Sequence, residues 1–156
     1  MAVNEAGETP KERRDRELGE LPQETRVAIT GVQVLFAFLL TMPFSQRFTV
    51  LNAGERRVHL LATVTTALAS LLLIAPAANH RLLFREGIKE RLLRAANRLV
   101  IAGLFMLAAS VCLSVYLAVE VVYSNTRAAY VSGGVALVTA FAWFVFPLIL
   151  KVEDDD

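Results

Sequence analysis

Four long apolar runs divide the chain, and the segments between and beyond them hold every charge except that of Glu120. The runs are Val27–Phe44, Val58–Ala78, Leu99–Tyr123 and Ala128–Leu150. Each reaches or approaches the roughly 20 residues that a helix needs to cross the hydrocarbon of a bilayer. Strand-like alternation is absent from them. Hydrocarbon offers no partner to an unpaired backbone group, so helices are the expected element. The first run is the shortest. Pro22 suits an opening helical turn, where a missing N–H is no loss, so the first span is expected to run from about 22 to 44. The expected fold class is all-α, a four-helix transmembrane bundle.

The connecting segments set the orientation. Ser45–Arg57 contains Arg47, Arg56 and Arg57, and Ser124–Arg127 contains one arginine. Asn79–Arg98 contains Arg81, Arg85, Lys89, Arg91, Arg94 and Arg98. Four spans put both termini on one side, together with Asn79–Arg98. That side then carries twelve basic residues, including Arg26 and Lys151, against four on the other. Basic residues are retained on the cytoplasmic face, so the expected topology is N-in and C-in, in the plasma membrane. Within LLFREGIKERLLRAANRLV, apolar Ile88, Leu92, Ala95, Ala96 and Leu99 follow helical spacing with basic residues on other faces. This predicts an interfacial amphipathic helix before the third span. Its six basic residues (Arg81, Arg85, Lys89, Arg91, Arg94, Arg98) would meet anionic headgroups, each contact contributing about 1 kcal/mol near the surface.

Composition changes the picture at the ends of the chain. Hydrophobic residues make up 55% of it and mean hydropathy is +0.50, yet 20% of residues are charged. Residues 1–21 combine low hydrophobicity with high charge and cannot bury enough apolar surface to offset the entropy of ordering; they are expected to be a disordered cytoplasmic segment. They contain no apolar core of a cleaved signal peptide, so the first span is the expected targeting signal. Residues 22–150 form the membrane domain. The tail at 151–156 ends in four acids that repel one another, with nothing to fix them around an ion. Net charge of +1 gives no basic field for nucleic acid. Cys112 is the only cysteine, which excludes an intrachain disulfide and a cysteine-rich zinc site.

The polar residues inside the apolar runs are the candidates for function. Arg26, Thr30, Gln33, Ala37 and Thr41 share one stripe of the first helix, and His59, Thr63, Thr66 and Ser70 share one of the second. Lipid tails form no hydrogen bonds, so the two stripes are expected to face each other or the bundle interior, with Gln33 and Ser70 near one depth. The stripe Thr30, Gln33, Thr41, Thr63, Thr66 and Ser70 is then either helix-to-helix glue or the lining of an ion or water path. Small residues mark the remaining helices: Gly103, Ser110 and Ser114 on the third, Ser132, Gly133, Ala136 and Ala140 on the fourth.

Glu120 is the only acid within a span, about 4.5 Å inside its outer end by helical rise. His59 lies one residue inside the outer end of the second span, and the two form a candidate outer-mouth pair able to relay protons. The plainer alternative is an interfacial salt bridge from Glu120 to Arg56, Arg57 or Arg127. His59 and His80 fall at opposite membrane faces and cannot share a metal. The chain contains no nucleophile elbow, P-loop, HExxH or glycine-rich dinucleotide turn, so no enzyme, cofactor or metal site is expected.

The segments TGVQVLFAFLLTMPFSQRF, LLIAPAANHRLLFR and ANRL resemble a family of short, chiefly actinobacterial, integral membrane proteins catalogued as a domain of unknown function. The resemblance covers about Glu20 to Lys151 and implies a four-span plasma-membrane protein with no established activity. Some members carry an automatic sodium:proton antiporter label, but this chain has no aspartate pair or broken helix within its spans. The expected function is non-enzymatic, through helix packing with itself or another membrane component. The alternative is a small oligomeric cation or proton conduit.

Overall fold

The computed structural model describes residues 27–83, 89–146, 148 and 149, with side chains described outside 79–94. Residues 1–21, the proposed start at Pro22 and the acidic tail lie outside the described residues.

Four helices follow one another, and the described residues include no strand: α1 (residues 27–41), α2 (Ala53–Leu83), α3 (Lys89–Val122) and α4 (Asn125–Ala140). Their apolar spans are Val27–Phe44, Ala53–Ala78, Ala95–Val122 and Asn125–Val145. Each apolar run of the sequence therefore falls on a helix long and apolar enough to cross a membrane, while most helix ends differ from those of the runs. Helix α2 starts five residues before Val58 because Asn52 and Glu55 form a reciprocal cap: Asn52 N–H donates to Glu55 Oε2 at 2.7 Å, and Glu55 N–H to Asn52 Oδ1 at 3.0 Å. Helix α4 starts at Asn125 because Ser124 Oγ accepts from Arg127 N–H at 3.4 Å. The basic segment from Lys89 forms the opening turns of α3, so the helix expected before the third span runs directly into it.

Helix α1 ends where Pro43 makes it end. Proline cannot donate to the carbonyl four residues back, and the chain tightens into 3₁₀ turns at Met42–Phe44 and Gln46–Val50. The far end of the bundle shows a related effect. Helix α4 passes into a wide π turn at Phe141–Val145, just before Pro147 in the sequence.

Packing is centred on α2. Its buried residues, His59, Ala62, Thr66, Ala69 and Leu73, recur at steps of three and four and form one seam. Helix α3 lies antiparallel along that seam, with Ser110 beside Thr66 and Gly103 beside Leu73. A Cβ on Gly103 would stand 2.8 Å from Leu73 Cγ, so glycine is what lets the two backbones approach. Helix α1 adds Val32, which joins Ala69, Leu73 and Leu107 in the buried cluster, with Ala28, Ile29 and Leu35 packed against it. Helix α4 packs against α3, through Ser132 Oγ donating to Cys112 O at 2.9 Å, and the π turn that follows it adds an edge contact between Phe105 and Phe144. Within an 18-residue apolar stretch of each span, 28% of residues are buried in α2, 17% in α3, 11% in the first span and 6% in the last. The first and last helices are thus peripheral.

Candidate functional site

The polar chemistry of the bundle begins with a missing proton. Pro43 has no N–H for the carbonyl of Leu39, so that oxygen is left over at the end of α1. His59, buried on α2, fills the gap: Nε2 donates to Leu39 O across 2.9 Å. A carbonyl only accepts, so the proton in this contact is on Nε2. Phe48 packs edge-on against the imidazole, with ring centroids 5.1 Å apart. Arg56 lies over the same Phe48 ring and donates to Thr49 O at 3.0 Å. This set of contacts folds the 42–52 connection onto the end of the bundle and buries Leu51.

Two turns further along α2 lies a second polar cluster. Thr66 and Ser110 are both fully buried and in hydrogen-bond contact with each other. Thr66 Oγ1 is 2.6 Å from Ala62 O, and Ser110 Oγ is 3.2 Å from the same carbonyl. Each hydroxyl has one proton, so one donates to its neighbour and the other to Ala62 O. One turn along α3, Ser114 Oγ is also buried but has no hydrogen-bond partner. Ser114 borders an open cleft of about 590 Å³ beside α1, lined by Leu35, Leu39, Thr41 and Met42 among others.

The two polar stripes do not meet. Val32 and Leu39 are buried on α1, whereas Thr30 and Thr41 are exposed on the opposite side of the helix and Gln33 is exposed on its flank, about 100° round from Val32. The expected Gln33–Ser70 contact is not formed: Ser70 Oγ donates to Thr66 O at 3.0 Å, within its own helix. Thr63 likewise donates to His59 O at 2.9 Å, and Thr41 lies 3.0 Å from both Ala37 O and Phe38 O. Hydroxyls can bond to the carbonyl a turn back, so they do not require a neighbouring helix. That leaves the more apolar side of α1 free to pack against the seam. Of the suggested stripe hydroxyls, Thr66 reaches a neighbouring helix, through Ser110, as the His59 imidazole does through Leu39 O.

Nor does the outer-mouth pair form. The Thr66–Ser110 and Leu73–Gly103 pairings put His59 level with buried Leu117, and Glu120 about one turn beyond. The imidazole is engaged by Leu39 O. Tyr116, one turn before Glu120, donates its hydroxyl to Asn125 Oδ1 at 3.2 Å. The suggested salt bridges are also replaced, since Arg56 holds Thr49 and Phe48, and Arg127 lies over the Tyr123 ring at 5.7 Å. Of the six basic candidates for headgroup contact, the side chains of Arg81, Arg85, Lys89, Arg91 and Arg94 lie outside the described residues, and Arg98 is exposed. Sequence reasoning missed the Leu39 carbonyl, for which Pro43 was the available signal, and saw Ser110 only as part of a small face.

A protein-family model spans residues 7–147, nearly the whole chain, and its description is a family of unknown function, DUF6328. The chain belongs to this family. No curated protein and no solved structure matches it. The four apolar helices make this DUF6328 protein compatible with a multi-pass membrane protein, in agreement with the resemblance seen from about Glu20 to Lys151.

Proposed function

We propose that this DUF6328 protein is a non-enzymatic integral protein of the plasma membrane, with both termini cytoplasmic, that acts by packing its helices against a membrane-embedded partner. The partner is a second copy or another membrane component, and anionic headgroups contact the basic segment at Arg81–Arg98. The observation that carries this reading is the low burial of the two flanking spans, 11% and 6%, around a well-packed α2–α3 seam. Two of four helices offer nearly their whole outer surfaces to other molecules. The polar side chains inside the bundle, Ser114 apart, support the same reading, because they are engaged on carbonyls of the fold: His59 on Leu39, Thr66 and Ser110 on Ala62, Ser132 on Cys112.

The conduit finds less support. Val32, Ala69, Leu73 and Leu107 fill the space between α1, α2 and α3, and the residues suggested as a lining point in different directions. Purified protein in liposomes containing a pH- or sodium-sensitive dye is expected to give no flux above empty vesicles. Flux that falls in Glu120→Gln would overturn the non-transport reading.

A further inference from the structure

We infer that the outward face of α1 is the docking surface for a second copy of the chain, joined through reciprocal hydrogen bonds between the two Gln33 side chains. This deepens the packing reading above and rests on it. At least five residues inside either end of the four spans, and leaving aromatic residues aside, Gln33 is the one exposed polar side chain among the described residues. The hydroxyls on the neighbouring faces are not comparable, because a threonine bonds to its own helix, as Thr41 does to Ala37 O and Phe38 O. A glutamine amide has two donor hydrogens and an acceptor oxygen. Gln33 has no hydrogen bond to any part of this chain, and lipid tails can supply none.

The occupant must therefore present both a donor and an acceptor at the depth of Gln33. A second copy does so by symmetry. A twofold axis along the membrane normal brings each residue opposite its own counterpart at the same depth. Each amide then donates to the other's oxygen, which satisfies both without a different partner. The rest of the face permits the approach: Ala37 lies one turn along, and Thr30 and Thr41 flank it on the same stripe. The buried residues Val32 and Leu39 lie about 100° and 120° round the helix from Gln33, so pairing through this flank of α1 leaves the buried cluster in place.

The test uses the full chain in bilayers, in a Cys112→Ala background, with single cysteines placed at Ala37 on the proposed face or at Leu137 on α4. Oxidation is expected to crosslink the Ala37→Cys protein to itself, and dye-labelled protein to bleach in two steps. Gln33→Leu is expected to weaken dimerisation about tenfold, in line with the contribution of interhelical polar contacts. Gln33→Asn, which keeps the amide, is expected to stay within about threefold of the native protein. Crosslinking at Leu137→Cys but not at Ala37→Cys overturns the α1 interface while leaving self-association intact. Gln33→Leu dimerising as tightly as the native chain overturns the amide pairing. Single-step bleaching with no crosslink at either position removes the second copy altogether and leaves the packing reading only its other partner.

Discussion

At the residue scale, what holds this bundle together is the satisfaction of a few carbonyls and one exception. Replacing His59 by leucine is expected to cost about 1–3 kcal/mol, the penalty for leaving a buried carbonyl without a partner. Unfolding of the purified protein by a denaturing detergent, read by circular dichroism, measures it. An equal stability would show that water or detergent replaces the imidazole at Leu39. The sign reverses at Ser114, whose buried hydroxyl has no partner to lose. Ser114→Ala is expected to be neutral or stabilising by up to about 1 kcal/mol in the same measurement, since it removes an unmet polar group from an apolar surrounding. Marked destabilisation would mean that the hydroxyl has a partner in the membrane.

At the scale of the elements, the α2–α3 contact depends on Gly103. Adding a methyl group by Gly103→Ala is expected to destabilise the bundle by about 1–3 kcal/mol, because its Cβ would overlap Leu73. Shortening Leu73 to alanine in the same chain should recover part of the loss, and a double-mutant cycle reads that coupling. If the two changes are merely additive, the close approach is not what makes glycine necessary. The cap at the start of α2 gives a smaller effect: Glu55→Ala is expected to cost about 1 kcal/mol. The crossings themselves were legible because hydrocarbon demands an apolar length, and length can be counted. The ends were less so. Asn52 and Glu55 lie among arginines, where hydropathy reads loop, although their spacing is that of a capping box. The rotation of α1 was not legible at all. Periodicity tells which residues share a stripe, but in lipid the surroundings are as apolar as the core, so it does not tell which stripe turns inward. Threonines that bond to their own helix removed the remaining reason for Thr30, Gln33 and Thr41 to face α2.

For the whole molecule, the expectation with the widest reach is orientation. Single cysteines at Asn4 and at Glu90, again without Cys112, are expected to react with an impermeant maleimide only after the membrane is opened, whereas one at Gln46 should react in intact cells. The reverse pattern would invert the map. That result would leave the α1 interface standing, since a twofold axis along the normal places Gln33 beside its counterpart in either orientation.

The link between α3 and α4 bears on how the chain is made. Tyr123 and Ser124 alone separate the two helices, and Ser124 already caps the second. So short a bend leaves no slack for one helix to wait in the bilayer while the other stays behind. In the orientation proposed above, the two are expected to enter the bilayer as one hairpin, with Arg127 at its far end.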